Sequence, residues 1–169
     1  MVFPPDLISS LFEDRQGRLW VGTDGAGVAH ANSGNTSNPE MGKPQCFIAE
    51  PSRAALGLSI RDFAEDDSGI WVASEAGLAR LDANGALTSF GPAQGLSRTS
   101  VRSLLRDRNG TLWVGTDLGV SRYRGGKFTV LTKTDGLSNN VILSLTEDRD
   151  GNVWIGTDVA ASIAGRTAH

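Results

Sequence analysis

One motif occurs four times in the chain and restricts the folds that are open to it. Each copy has an acidic turn closed by glycine, a tryptophan beside a branched residue, and a small residue followed by Thr or Ser. The copies are EDRQGRLWVGTD (13–24), EDDSGIWVASE (65–75), RDRNGTLWVGTD (106–117) and EDRDGNVWIGTD (147–158). Their tryptophans follow one another at 51, 42 and 41 residues. A period in this range is typical of four-stranded propeller blades or of helical HEAT-type repeats.

The residues inside each copy favour strands over helices. Runs such as LWVGT and VWIGT are β-branched and aromatic, and the glycines of each copy would break a helix. The third copy predicts strands over 100–107, 111–116, 120–124 and 127–132, separated by short turns. An antiparallel meander of this kind is one propeller blade. The sequence therefore predicts an all-β fold, a β-propeller of about four four-stranded antiparallel blades whose last blade is incomplete.

The predicted blades divide a single domain of 169 residues. Their approximate ranges are 6–50, 57–91, 98–132 and 139–165. Residues 31–45 of the first blade are rich in Gly, Asn, Ser and Pro, which predicts an insertion loop and explains the longest tryptophan spacing.

The acidic turn is interpreted as structural. Asp at the first turn position bonds its own backbone and Gly three residues later supplies positive φ, as in Asp107 and Gly110. A calcium site is the alternative, because DRDGN has oxygen ligands at alternate positions, but an EF-type loop needs glycine at its sixth position. In the second copy one residue is missing between Gly69 and Trp71, so we expect that hairpin to lose a bulge while Trp71 stays in the core.

The tryptophans are interpreted as repeated core. Each is expected to pack against the adjacent blade, and the small residue two positions later (Gly22, Ala73, Gly115 or Gly156) would let sheets approach closely. Arg80 and Arg122, which match one another on the third strand, are expected to pair with neighbouring acids at the surface.

The linker and the motif together resemble a known repeat. The pattern GLSxxxVxSLxxDxxGxLWVGTDxGVSR in residues 95–122, found again in 136–156, resembles the two-component regulator propeller repeat. Proteins of that family usually form seven-bladed propellers in periplasmic sensor regions of bacterial hybrid histidine kinases and related regulators. The resemblance implies a sensor that binds a ligand, often a carbohydrate fragment, in the periplasm. The start of this chain, MVFPPDLISS, has neither the basic nor the apolar region of a signal peptide.

Composition restricts the partners and the cofactors. A net charge of −3 gives no electrostatic footprint for nucleic acid, and no apolar run is long enough for insertion into a membrane. Cys46 is alone, and His30 and His169 are the only histidines, which disfavours a zinc site of the His-rich kind within one chain.

Four blades lie at the lower limit of the ~4–8 known in propellers. An arc that does not close would expose an apolar face at each end. We therefore expect a homo-oligomer, first of all a dimer in which two arcs related by a two-fold axis make one ring. A piece of a longer chain and self-closure as four blades are the alternatives.

Candidate ligand-binding residues are expected around the central opening, where linkers and the loops after second strands meet. The set comprises Asp24, Glu75, Asp117 and Asp158 in the loops, Arg98, Asn139 and Asn140 in the linkers, and Arg61 and Arg102 on innermost strands. The main hypothesis is a ligand-binding sensory propeller that closes with another chain.

The alternative function is that of a metal-dependent hydrolase of an ester, lactone or phosphotriester, or a lyase. Its divalent cation (Ca, Mg, Mn or Zn) would be held by oxygen ligands, with Asp117 and Asp158 as candidates, and would activate water. No GxSxG elbow supports a serine nucleophile, and the sequence assigns no catalytic residue.

Overall fold

The computed structural model describes residues 7–32, 56–97 and 100–164. Within these ranges the chain forms fourteen strands and two short 3-10 turns. The first two blades contain β1 (Leu7–Glu13), β2 (Arg18–Asp24), β3 (Val28–Asn32), β4 (Ile60–Asp66), β5 (Gly69–Ser74), β6 (Gly77–Leu81) and β7 (Leu87–Phe90). The last two contain β8 (Val101–Arg106), β9 (Leu112–Thr116), β10 (Gly119–Arg124), β11 (Lys127–Leu131), β12 (Ile142–Glu147), β13 (Val153–Thr157) and β14 (Ala161–Ala164).

Each blade is an antiparallel meander whose strands lie side by side in chain order. Blades 2 and 3 have four strands, and blade 4 has three among the described residues, so the expected all-β blade architecture is confirmed. Blade 1 also shows three strands there. The end of its predicted range, residues 33–50, which includes most of the insertion loop, lies outside the described residues.

The second blade closes its first hairpin with a shorter turn than the others. In blade 1 the amide of Asp14 donates to the carbonyl of Arg18, and Glu13 pairs with Leu19 across a five-residue connection. In blade 2 the equivalent pair, Glu65 and Ile70, is joined by four residues, because Asp66 pairs directly with Gly69 across a two-residue turn. The extra residue has gone from the turn, and Trp71 is still 0% exposed. Trp71 keeps its core position as predicted, but blade 2 retains, between Ile60 and Asp62, the register shift that the first hairpin of every other blade also shows.

Among the described residues the hydrophobic core forms three clusters, and each one spans two neighbouring blades. Trp20 of blade 1 packs with Ile60, Phe63 and Ile70 of blade 2. Trp71 packs in the same way with blade 3 (Val101, Leu104 and Leu112). Trp113 packs with blade 4 (Ile142, Val153 and Ile155). Trp20, Trp71 and Trp113 are therefore the inter-blade core that the sequence predicted, whereas Trp154, for which the same role was expected, belongs to none of these clusters.

Small residues permit this packing. A Cβ placed on Gly22 would lie 2.7 Å from Cγ2 of Ile60 in the next blade, and one on Gly115 would lie 2.7 Å from Cγ2 of Ile142. At Gly156 the added atom would meet only Ser144 of its own blade. This close approach therefore exists between blades 1 and 2 and between blades 3 and 4, whereas blade 2 accommodates the methyl group of Ala73 at the same position.

The two ends of the arc expose apolar side chains. Trp154, which repeats the buried tryptophans, is 38% exposed, and Ile163 beside it is also exposed. At the other end Ile8, Leu11 and Leu19 are exposed. Among the described residues no helix is long and apolar enough to cross a membrane.

Candidate functional site

The aspartate of the repeated turn holds the tryptophan of its own blade. In all four copies the indole Nε1–H donates to the carboxylate Oδ2 at 2.8 Å. The other oxygen, Oδ1, accepts backbone amides of the turn, such as those of Asn109 and Thr111 at Asp107. The structural interpretation of the turn is confirmed, because both oxygens are occupied by the hairpin itself.

These hydrogen bonds stabilise the ionised carboxylates. The indole of Trp154, followed by the side chain and backbone of Asn152, lowers the pKa of Asp148 to about 2. Burial raises the pKa of Asp14, but hydrogen bonds from Trp20 and Arg18 outweigh it, and the net pKa is lowered. These two turn aspartates are thus permanent anions at neutral pH.

The opposite end of the second strand carries the predicted loop candidates. The Thr or Ser after the small residue caps this turn, as where Thr116 Oγ1 donates to the carbonyl of Gly119 at 2.9 Å. The serine of the GLS linker contacts the same hydroxyl, with Ser97 Oγ 2.9 Å from Thr116 Oγ1. We call this edge, formed by the turns after second strands and by the inter-blade linkers, the linker edge.

The backbones of two candidate residues, Asp24 and Glu75, contact the first linker. Asp24 forms a β-bridge with Ser59, and the amide of Glu75 donates to the carbonyl of Ser59 at 3.2 Å. The amides of Gly25 and Gly27 donate to the carbonyl of Leu58. The linker is therefore held between the turns of blades 1 and 2, with the side chains of Asp24 and Glu75 exposed on either side of it.

The same arrangement recurs between blades 3 and 4. The amide of Gly119, two residues beyond the half-buried Asp117, donates to the carbonyl of Asn140 at 2.7 Å. The side chain of Asn140 accepts from the amide of Lys133, and that of Asn139 accepts from the amide of Asn140. Both asparagines therefore shape the linker. Asp158 is exposed in the turn of blade 4.

Two of the predicted arginines lie on strands. Arg61 and Arg102 are exposed at matching places on β4 and β8, the first strands of their blades. Arg98 lies outside the described residues. The structure thus brings the backbones of Asp24 and Glu75 together at one linker and places Asp117 near the two asparagines at another.

Across the described ranges, no three His, Cys, Asp or Glu side chains lie together in a group that could hold a metal ion. Asp117 and Asp158 belong to different blades and no such group includes them. The divalent cation stays a prediction without support from this geometry.

Sequence reasoning missed a cleft at the other edge of the sheets. A cavity of about 420 Å³ lies between blades 1 and 2, next to the acidic turns. Its lining includes Arg15, Arg18, Asp66, Asp67 and Asp82. The charged residues are visible in the sequence, but the cleft depends on the separation of two blades, which no local pattern encodes.

Asp62 was also missed. It lies half-buried on β4, where blades 1, 3 and 4 have a serine, and its Oδ2 accepts the amide of Leu104 in blade 3 at 2.8 Å. Burial raises the pKa of its carboxyl, against the opposing effect of the amides of Leu104 and Phe63. The only sequence signal is the departure from serine at this repeat position.

The described residues form four antiparallel meanders, and the tryptophan of each of the first three packs against the following blade. This arrangement defines the chain as a protein of the β-propeller class. Residues 3–25, 95–117 and 136–159 match the family model described as two component regulator propeller. These matches confirm the resemblance to the two-component regulator propeller repeat over three segments of the chain. A comparison with curated proteins gives no match.

Solved structures share the fold at low sequence identity. The extracellular domain of a protein described as a putative hybrid two component system from B. thetaiotaomicron has a TM-score of 0.78 and 21% identity, covering 92% of this chain and 21% of that one. The corresponding domain of a putative one component system from the same organism has a TM-score of 0.76 and 23% identity, with 95% and 22% covered. Virginiamycin B lyase from Staphylococcus aureus has a TM-score of 0.66 and 12% identity, with 96% and 57% covered.

This chain spans about a fifth of the length of the two B. thetaiotaomicron chains. At these identities the likeness shows the fold alone. Together with the family match, it supports a propeller domain of the two-component regulator type.

Proposed function

We propose that the chain is a ligand-binding sensory module that assembles with another chain, closes the propeller and forms a central binding site. The observation that supports this most directly is the linker edge, where turns that carry Asp24, Glu75 and Asp117 are hydrogen-bonded to inter-blade linkers. Because the linkers fix these turns, their carboxylates are presented at defined places along the edge. Fixed polar groups of this kind suit a binding site.

The ligand is proposed to be a carbohydrate fragment. Exposed carboxylates such as Glu75 accept hydrogen bonds from hydroxyl groups, and charge-assisted bonds of this kind are stronger than neutral ones. The family's association with carbohydrate sensing points the same way. Since the structural neighbours are extracellular domains, the proposed location is outside the cytoplasm.

The hydrolase or lyase alternative gains no support from the described residues, which include no candidate metal-binding group. The likeness to a lyase concerns the fold at 12% identity and supplies no catalytic residue. It stays an expectation.

The test is a thermal-shift titration of the whole chain with a panel of neutral and acidic oligosaccharides. We expect a saturable rise in Tm with at least one of them. Glu75→Gln should raise the ligand concentration at half-saturation by about tenfold or more, because a hydrogen bond to a charged group contributes ~1.5–3 kcal/mol. The matched control is Asp150→Asn, which removes one exposed carboxylate from the opposite edge and should leave the titration unchanged.

Two results would contradict the proposal. One is the absence of a saturable shift with every sugar of the panel. The other is a shift that Glu75→Gln leaves intact and Asp67→Asn removes, which would place the ligand in the cleft between blades 1 and 2.

A further inference from the structure

The exposed residues of blade 1 occupy repeat positions that are buried or half-buried in every other blade. By strand register, Ile8, Leu11 and Leu19 correspond to Ile60, Phe63 and Ile70 of blade 2. In blade 2 these three side chains cover Trp20 and are at most 4% exposed. In blade 1 Leu11 is 62% exposed. We call these three repeat positions the covering positions.

Blade 4 presents the opposite half of the same contact. In blades 1 to 3 the tryptophan is covered by the next blade, whereas Trp154 has no such cover among the described residues and is 38% exposed. One end of the arc is therefore a covering face without a tryptophan, and the other is a tryptophan without a covering face. The two faces are complementary halves of an interface that the chain makes three times internally.

A pair of charges accompanies each internal interface. In blades 1 and 3 an arginine directly follows the turn aspartate. It pairs with a glutamate of the next blade, which directly precedes the turn aspartate of that blade. The backbone amide of Arg15 donates to Glu65 Oε2 at 2.9 Å, and the side-chain Nε of Arg15 lies 3.9 Å from the same oxygen. The amide of Arg108 donates to Glu147 Oε2 at 3.0 Å, and its Nε lies 2.8 Å from Oε1.

Between blades 2 and 3 the same two positions carry the opposite charges. Asp67 takes the place of the arginine and Arg106 takes the place of the glutamate. The charge of Arg106 contributes to lowering the pKa of Asp67, after the larger effect of a hydrogen bond from Arg15. These two positions, which we call the pairing positions, thus carry opposite charges at all three internal interfaces and form an ion pair at the first and the third; Asp67 itself is paired with Arg15.

The free ends carry one member of such a pair each. Arg149 follows the turn aspartate of blade 4, and Glu13 precedes that of blade 1. Both are exposed, and neither has an ion-pair partner among the described residues. Their polarity, arginine on the tryptophan side and glutamate on the covering side, is that of the Arg15–Glu65 and Arg108–Glu147 contacts.

We infer that a second copy of this chain docks head to tail, so that Ile8, Leu11 and Leu19 of one copy cover Trp154 of the other and Arg149 pairs with Glu13. In a two-fold dimer this contact forms twice and closes the ring, because each end of one chain meets the other end of its partner. The inference rests on the proposed assembly with another chain and adds the direction and the residues of the contact.

The test exchanges charges at the pairing positions, using the polarity that blades 2 and 3 already show. Glu13→Arg and Arg149→Asp each place like charges at both interfaces of a homodimer. Each should raise the Kd of the dimer, measured by sedimentation over a dilution series, by roughly tenfold, since two exposed ion pairs are lost. Both positions are exposed, so the monomer should fold normally.

Mixing the two single variants provides the rescue. In a mixed dimer the unaltered Arg149 of one chain meets the unaltered Glu13 of the other, and the two introduced side chains, an aspartate and an arginine, meet at the second interface. Native mass spectrometry of chains with different tags should show the mixed dimer in excess over both homodimers. The double variant Glu13→Arg/Arg149→Asp should also regain the affinity of the original chain.

An apolar substitution tests the same contact more strongly. Leu11→Asp should raise the dimer Kd at least about 100-fold, because two buried leucines are lost per dimer. The control is Leu118→Asp, which changes another exposed leucine away from the end faces and should leave Kd unchanged.

The outcomes separate the inference from the proposed function. A chain that stays monomeric at every concentration overturns both the inference and the assembly. A dimer that is unaffected by Leu11→Asp and by the charge exchanges overturns only the inference, and so do larger head-to-tail oligomers without a closed pair. A dimer with the expected rescue but no sugar-induced shift supports the inference and removes the carbohydrate proposal.

Discussion

The tryptophan and the aspartate of the repeated motif work as one unit. The carboxylate closes the turn through Oδ1 and accepts the indole N–H through Oδ2, so one side chain fixes both the hairpin and the orientation of the core ring. A buried N–H without an acceptor costs free energy. Because the aspartate supplies the acceptor, the indole can be buried at an otherwise hydrophobic position without that cost.

Asp107→Ala should therefore lower the free energy of unfolding by about 2–4 kcal/mol, because Trp113 Nε1 and two turn amides lose their acceptor together. Urea unfolding at a fixed protein concentration measures the change. Asp150→Ala, in the corresponding turn of blade 4 but exposed, serves as the control and should stay within about 0.5 kcal/mol. Equal losses in the two variants would contradict the paired role of Asp107.

The depressed pKa of Asp148 predicts a dependence of stability on acid. Its pKa is about 2 in the folded chain against a usual value of 3.8, so its contribution is complete above pH 3.8 and is lost as the pH falls toward 2. The urea midpoint should fall across this window. Asp148→Asn should show a smaller fall than the original chain between pH 5 and pH 2.5. Parallel curves for the two proteins would be the contrary result.

At the same scale, sequence reasoning predicted the turn but not its partner. The bonds from Asp107 to the amides of Asn109 and Thr111 are local and follow from turn chemistry. The bond to Trp113 joins residues across the hairpin and depends on strand register. The expected pairing of Arg80 and Arg122 with acids was wrong. Their guanidinium carbons lie 5.3 and 5.4 Å from the ring centroids of Trp71 and Trp113, where stacking on the indole is available.

Among the elements, the strands of blade 3 were predicted within about one residue of their observed ends. Its turns contain Gly110, Gly119, Gly125 and Gly126, all with positive φ, and such residues end strands at fixed places. The linker edge was harder to predict. Asp24 and Glu75 meet around Ser59 only because two blades share a linker, and spacing along the chain does not show which turns that linker contacts.

The close approach of neighbouring sheets gives a prediction at this scale. Gly115→Ala should destabilise the chain by about 1–3 kcal/mol, since its Cβ would overlap Ile142 of the next blade as well as Ser103 of its own. Gly156→Ala meets only its own serine, Ser144, and should cost less in the monomer. Thermal and urea unfolding at low protein concentration compare the two. A larger loss at Gly156 would contradict the assignment of the cost to inter-blade packing.

For the whole molecule, the repeat predicted the number of blades, since each motif forms one hairpin of a blade. The closure of the ring could not be predicted in the same way. It depends on what covers Trp154 and on what Leu11 packs against, and these contacts are not local to any repeat. The charges of Glu13 and Arg149 can be interpreted only from the contacts of their equivalents, where Glu65 pairs with Arg15 and Arg108 pairs with Glu147.

The three core clusters have a further consequence for the history of such a chain. None of the three clusters lies within a single blade, because each has its tryptophan in one blade and the residues that cover it in the next. The unit that is copied along the sequence and the unit that is packed in space are therefore out of phase. Gene duplication of one repeat would add a tryptophan and a matching cover in a single event, so that such a chain could lengthen by whole blades without inventing a new contact.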